Sequence, residues 1–197
     1  PGAVRPYENI HRLSQQTLGL LGLGNIGRAV TIRARAFGLS VIAHDPYLTP
    51  SDVAGLGVEL VPFDDLLKRS DFVSIHTPLT ATTRHLLGAR ELALMKTSAY
   101  VINTARGGVI DEAALADALR ARRLGGAALD VVEHEPPRAD HPYMGLDNAL
   151  LTPHAAYYSK EAVVWCQRQA AREIISIKQG SLPRRVAVVN KELLPAE

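Results

Sequence analysis

Six short apolar runs set the terms on which this chain folds. They lie at residues 18–23, 40–43, 72–75, 99–102, 126–129 and 149–151, with little polar alternation inside any of them. That is the pattern of strands buried on both faces. Longer segments of helical composition separate them. Residues 111–123 (DEAALADALRARR) are one such segment, with Ala114, Leu115, Ala118 and Leu119 on one stripe, acids in front and arginines behind. Strand and helix in alternation imply an α/β fold, a doubly wound parallel sheet with helices on both faces.

At 197 residues the chain is long enough for one sizeable core and short for two ordinary domains. Apolar residues make up 47% and charged ones 21%, a globular rather than a disordered balance. The net charge is +2, and the densest basic cluster is only Arg120, Arg122 and Arg123. With three Phe and one Trp there is also little to stack on bases, so no nucleic acid is expected as a direct ligand. The single cysteine, Cys166, excludes an intrachain disulfide and a Cys-based zinc site, reads as a packing residue, and fits a reducing, cytoplasmic setting. The longest uncharged stretch, 13–27, carries Gln, Ser, Asn and four Gly, so neither a membrane span nor a secretory leader is expected.

The first apolar run leads directly into Gly22-Leu23-Gly24-Asn25-Ile26-Gly27, followed by a helix through Phe37. Gly22 permits a tight turn, Gly24 lets backbone approach a pyrophosphate, and Gly27 lets helix and strand pack closely. Amides at the helix start would face the phosphates. The second run ends in His44-Asp45, and Asp45 follows Gly27 by 18 residues, near the spacing of a carboxylate that binds adenosine ribose hydroxyls. The competing role for Asp45 is to cap a turn before Pro46. A carboxylate there accepts ribose hydroxyls and repels a 2′-phosphate, so the expected cofactor is NAD rather than NADP. Arg33 falls on the otherwise apolar helix face of Ile26, Val30 and Phe37, and must snorkel or find a carboxylate.

Three later runs also end in polar residues, where open α/β sheets bind ligands. Run 99–102 continues through Asn103 and Thr104 into Ala105-Arg106-Gly107-Gly108. Run 126–129 ends in Asp130, with Glu133 and Glu135 beyond, and run 149–151 ends in Thr152-Pro153-His154-Ala155-Ala156. A cation, a carboxylate and an imidazole converging there suit hydride transfer. Arg106 can hold a substrate carboxylate bidentately, His154 can exchange a proton with the substrate oxygen, and Glu135 can orient the imidazole and favour its charged form. Each has a plainer reading. Arg106 can be a surface arginine at a helix start, His154 a core histidine satisfied by backbone, and Glu133 and His134 compete with Glu135. His44, His76, His85 and His141 are candidates only for local hydrogen bonds, with His76 placed at a strand end.

The segments GLLGLGNIGRAVTIRARAFGLSVIAHDPY, HTPLTATTRHLL, NTARGGVIDEAALADAL, GAALDVVEHEP and TPHAAYYS, in this order, resemble the D-isomer-specific 2-hydroxyacid dehydrogenases from residue 17 to 173. The NTARGG, EHEP and PHAA segments and the ending VVNKELL look most like the C-terminal-binding-protein and phosphoglycerate-dehydrogenase-like branches. The resemblance implies a Rossmann-type domain with catalytic Arg106, Glu135 and His154. It implies nicotinamide contacts at Thr104, Ala105 and Asp130. Adenosine and phosphate contacts fall at Asn25, Ile26, Asp45, Pro46, Thr77, Pro78 and Thr83, and cofactor contacts extend to Arg106, His154 and Ala156. A Glu rather than a Gln beside the histidine favours ketoacid members over formate dehydrogenases.

The same resemblance implies a homodimer built through the nucleotide-binding domain, a small 2-ketoacid or 2-hydroxyacid substrate, and a separate substrate domain. That domain is largely absent here, because the glycine loop begins at residue 22 and the chain starts at Pro1. The expected organisation is a lead-in at 1–16, the NAD-binding domain at 17–175, and a C-terminal segment at 176–197 that would return to the absent domain. Residues 159–179 read as one long helix around Trp165, stopped by Gly180 and Pro183, with a stray apolar run at 186–189. The alternative function is an NAD(H)-responsive, corepressor-like interaction protein of the C-terminal-binding-protein type.

Overall fold

Each of the six apolar runs supplies a strand, and every strand pairs in parallel. The computed structural model describes residues 10–181. In chain order the elements are β1 (Thr17–Leu21), α1 (Asn25–Ala36), β2 (Ser40–His44), β3 (Glu59–Leu60), α2 (Phe63–Arg69), β4 (Phe72–Ile75), α3 (Ala89–Leu94), β5 (Tyr100–Asn103), α4 (Glu112–Arg120), β6 (Gly126–Leu129), β7 (Ala149–Leu151) and α5 (Lys160–Lys178). The seven strands lie in the order β3-β2-β1-β4-β5-β6-β7. Strand order reverses between β1 and β4, which makes the carboxyl ends of those two strands the switch point where such sheets open a crevice.

The alternation of side chains along the strands feeds two cores. Leu18 and Leu20 of β1 join Val41, Ala43 and Ala34 in one. Leu21 joins Val73, Ile75, Val101 and the helix residues Leu66, Leu67, Leu92, Leu115 and Leu119 in the other. Each fully buried leucine contributes about 2 kcal/mol against an exposed one. The acids and arginines that bracket α4 act as expected: Asp111 caps the helix by accepting the N–H of Ala114 at 3.1 Å, and Arg120 lies in its last turn.

Helix α1 keeps Val30 of the expected face against the core but departs from it on either side. Gly27, Thr31 and Ala34 point inward, whereas Ile26 and Phe37 are each about two-thirds exposed. A Cβ at Gly27 would lie 2.6 Å from the Gly22 carbonyl oxygen, so the helix sits too close to the glycine loop for large side chains on that face. Arg33 therefore needs no carboxylate; at the surface it donates from Nη1 to the Ala29 carbonyl at 2.8 Å.

The chain divides into two compact units, one ending at His154 and the other beginning at Ala155. In the second, Ser159 caps α5 by accepting the N–H of Ala162 at 3.0 Å, and Gly180 follows the helix end at φ +77°. No residue of α5 is buried; Trp165 is exposed, and so is Cys166, which corrects its reading as a packing residue. The run at 186–189 lies outside the described residues. Among those residues, no helix is long and apolar enough to cross a membrane.

Candidate active site

The glycine loop turns sharply at Gly22, whose φ of +88° favours a residue without Cβ, and whose N–H donates to the His44 carbonyl at 3.0 Å. Gly24 is the N-cap of α1, and a Cβ there would meet nothing within 4 Å, so its open side can take a ligand. Asn25 and Ile26 begin the helix exposed, at the end where backbone amides lack intrahelical acceptors.

Asp45 ends β2 against this loop. Its Oδ2 accepts the Leu23 N–H at 2.9 Å, and its Oδ1 accepts the Tyr47 N–H at 3.1 Å. The turn-capping role is thus real, and the same carboxylate also ties the second strand to the glycine loop. Gly22, Gly24, Asp45, Pro46, Thr77, Pro78 and Thr83 line one cavity of about 400 Å³, together with His44, Phe63 and His76. Thr83 is spent on the loop itself, donating to the Pro78 carbonyl at 2.6 Å and accepting from the Thr80 N–H at 2.8 Å. The hydroxyl of Thr77 is buried with no hydrogen-bond partner. An orphaned polar atom beside an open helix N-terminus and a strand-end carboxylate fits a dinucleotide that would complete its hydrogen bonding. His76 is half-buried, with Nε2 at 3.0 Å from the Ser74 hydroxyl, and burial pushes its imidazole below the usual histidine range.

Farther along the sheet, buried Asn103 organises the loop that follows β5. Its Oδ1 accepts the Ala105 N–H at 2.9 Å, and its Nδ2 donates to the Arg106 carbonyl at 2.9 Å. Thr104 and Arg106 are exposed on that loop, and Arg106 Nη1 donates to the Ala105 carbonyl at 2.6 Å. Asp130, at the end of β6, is buried; it accepts from the Thr152 hydroxyl, and its carbonyl accepts the His154 N–H at 2.9 Å. Asn103 and Thr152 were not expected as loop organisers, although each stands one position past an apolar run.

Imidazole and carboxylate meet: His154 Nδ1 lies 2.7 Å from Glu135 Oε2, and Glu135 Oε1 accepts the Val132 N–H at 3.3 Å. His154 holds φ +53°, a left-handed backbone that costs about 1 kcal/mol or more in a non-glycine residue. Asp130, Glu135 and His154 share a second cavity of about 560 Å³, walled by Val132, Met144 and Leu151. Arg106 is not among its lining residues. The neighbouring acid makes different contacts. Glu133 turns away to Arg84 at 2.5 Å and His85 at 3.4 Å; burial raises its carboxyl, but these hydrogen bonds outweigh that and hold it below the usual range. His134 is exposed. Ala156 falls in the second unit.

These residues sit in a recognisable framework: residues 3–156 match the family model for the D-isomer specific 2-hydroxyacid dehydrogenase, NAD binding domain. The chain belongs to this family. It is 44% identical over 183 residues to D-3-phosphoglycerate dehydrogenase of Methanocaldococcus jannaschii, covering 92% of this chain and 34% of that protein. Against glyoxylate reductase of Korarchaeum cryptofilum it is 42% identical over 179 residues, 91% of this chain and 53% of the relative. Among solved structures, D-lactate dehydrogenase with NAD+ from Lactobacillus jensenii superposes with a TM-score of 0.80 at 32% identity, over 88% of this chain and 56% of that one. The chain therefore spans about a third to a half of the curated relatives it matches, and what it supplies is the family's Rossmann-type NAD-binding domain.

Proposed function

We propose that this chain is the cofactor-binding half of an NAD-dependent D-2-hydroxyacid dehydrogenase, which moves a hydride between NAD(H) and a small 2-ketoacid or the matching 2-hydroxyacid. The observation that carries the reading is the His154–Glu135 contact at 2.7 Å, at the carboxyl end of a sheet that also bears the glycine loop and Asp45. When bound, the nicotinamide supplies or accepts the hydride. The amides that open α1 would hold the pyrophosphate and Asp45 the adenosine ribose, and Thr104, Ala105 and Asp130 are the residues that would receive the nicotinamide.

The remaining steps belong to side chains. Glu135 holds His154 through Nδ1, which assigns proton exchange to Nε2. In ketoacid reduction that atom gives its proton to the carbonyl oxygen, and in the reverse direction it takes one from the hydroxyl. Glu135 stabilises whichever imidazolium forms. Arg106 pairs with the substrate carboxylate through its planar fork, giving up its exposed hydrogen bond to the Ala105 carbonyl.

The setting we propose is cytoplasmic, supported by a lone cysteine and no disulfide, and the assembly a homodimer through this domain, supported by the exposed apolar residues Trp165, Ile174 and Ile177 on α5. Closure by the rest of the protein would exclude water and orient the substrate, so the chain alone binds NADH and turns over little. Assaying NADH oxidation by the full-length protein across a panel of 2-ketoacids tests the activity and separates it from an NAD-responsive interaction protein. Light scattering of the chain tests the dimer, and a monomer at micromolar concentration contradicts it.

A further inference from the structure

The loop that carries Glu135 is gripped by groups for which the reaction above has no use. A Cβ at Gly107 would overlap the Val132 carbonyl, so the backbone just after Arg106 packs directly on the acid loop. The other grip comes from Glu112, the first residue of α4. Asp111 already caps this helix, so the Glu112 carboxylate is not needed there. Instead its Oε1 accepts the Glu133 N–H at 2.7 Å, and its Oε2 lies 3.1 Å from His141 Nε2. The side chains of His141 and Glu112 are only 8% and 14% exposed.

His141 is committed on both nitrogens. Its Nδ1 accepts the Tyr143 N–H at 3.4 Å, which leaves the Nε2 proton for Glu112. Its ring lies 5.0 Å from that of Tyr143, which is 2% exposed. Burial first, then the charges of Glu112, Asp111 and Glu133, push the Tyr143 phenol far up, so it stays neutral. Taking an imidazole and a carboxylate out of water is costly, and a surface helix start has no need of it. What the pair produces is a fixed Glu133 backbone, one residue after the Val132 N–H that holds Glu135 Oε1.

Resting on the dehydrogenase reading, we infer that Glu112 and His141 are positioning residues: they act through the 131–135 loop to set Glu135, and with it His154, for proton exchange. Neither touches the substrate. Glu112→Gln keeps the shape and the acceptor for the Glu133 N–H, but opposes an N–H donor to His141 Nε2. His141→Ala removes the anchor, whereas His141→Gln can place an N–H near the position of Nε2.

The test combines steady-state kinetics of the full-length protein with NMR of the His154 Nδ1–H proton in the unliganded protein. Glu112→Gln and His141→Ala should lower kcat about tenfold or more, with KM for NADH within about twofold, because small misplacement of catalytic groups costs one to two orders of magnitude. Both should also shift or broaden the His154 proton signal. His141→Gln should restore kcat to within about threefold, and Glu59→Gln, at a remote exposed pair with Arg69, should change neither readout. The inference is overturned if kcat is unchanged, if it falls only in step with NADH affinity and thermal stability, or if His141→Gln is no better than His141→Ala. Should Glu112→Gln fail to fold, the two His141 variants decide. A wild-type protein inactive on every ketoacid defeats the dehydrogenase reading instead; the NMR arm then still decides, and an unshifted His154 signal overturns the positioning role.

Discussion

Glu135 Oε2 stands 2.7 Å from His154 Nδ1, while Glu133, two residues earlier, is turned onto Arg84 at 2.5 Å. One loop thus presents two carboxylates with separate tasks, one on the imidazole and one on a half-exposed arginine. Glu135→Gln should lower kcat about a hundredfold with NADH affinity preserved. Glu133→Gln should cost about 1 kcal/mol of stability or less, and only several-fold in rate. Steady-state kinetics and thermal melts on the two variants check this, and equal losses in rate would erase the division.

The glycines of the loop separate folding from binding. A Cβ at Gly27 runs into the Gly22 carbonyl at 2.6 Å, whereas a Cβ at Gly24 meets no protein atom within 4 Å. Gly27→Ala should destabilise the chain by about 2 kcal/mol through forced backbone shifts. Gly24→Ala should change stability by about 1 kcal/mol at most yet weaken NADH binding about tenfold or more, because it intrudes only on the ligand side. Denaturant melts and fluorescence titration with NADH read the two effects separately.

Asp45 should make the chain prefer NADH over NADPH by about tenfold or more, since its charge opposes a 2′-phosphate. Asp45→Asn removes that charge and keeps one oxygen for the Leu23 N–H at the cost of the Tyr47 N–H contact, so it should narrow the preference while loosening the turn at Tyr47. Asp45→Ala should weaken both nucleotides. Paired titrations with NADH and NADPH measure this, and tighter NADPH binding to the wild type contradicts it.

Burial holds His76 below the ordinary histidine value of 6.5. The unfolded chain therefore takes up a proton near pH 6.5, while the folded chain resists until lower pH. In that window the unfolded state binds more protons, so this contribution to stability is present above pH 6.5 and is lost as pH falls toward the folded value. Asp71 and Glu133, held below their ordinary values of 3.8 and 4.5, stay ionised at pH 5.5 and do not enter. Urea melts at pH 7.5 and 5.5 should show a smaller acid loss for His76→Gln than for the wild type.

The sheet was legible because its strands are continuous apolar runs, a pattern that survives in the sequence whatever the neighbours are. Strand β3 was not: Glu59 and Leu60 are too few to show a period, and they become a strand only by pairing with Ile42 and Ala43. The inward face of α1 was misread because large apolar residues normally mark a core. Here the contact of Gly27 with Gly22 admits only small side chains and leaves Ile26 and Phe37 outside. At the site, spacing alone could not choose between Glu133 and Glu135, since the choice depends on where Arg84, His85 and His154 arrive in space. The link from His141 through Glu112 to Glu133 joins residues 21 and 29 apart in the chain, with no motif to announce it.

The role proposed for the site turns on His154 serving proton exchange in a ketoacid–hydroxyacid reaction with NAD(H). The most direct measurement is NADH oxidation by the full-length protein and by its His154→Ala variant, across small 2-ketoacids, with NADH affinity measured alongside. The wild type should turn over at least one acid, and the variant should lose about a hundredfold or more of that rate with NADH binding nearly unchanged. No turnover of any acid, or a His154→Ala variant as active as the wild type, contradicts that role.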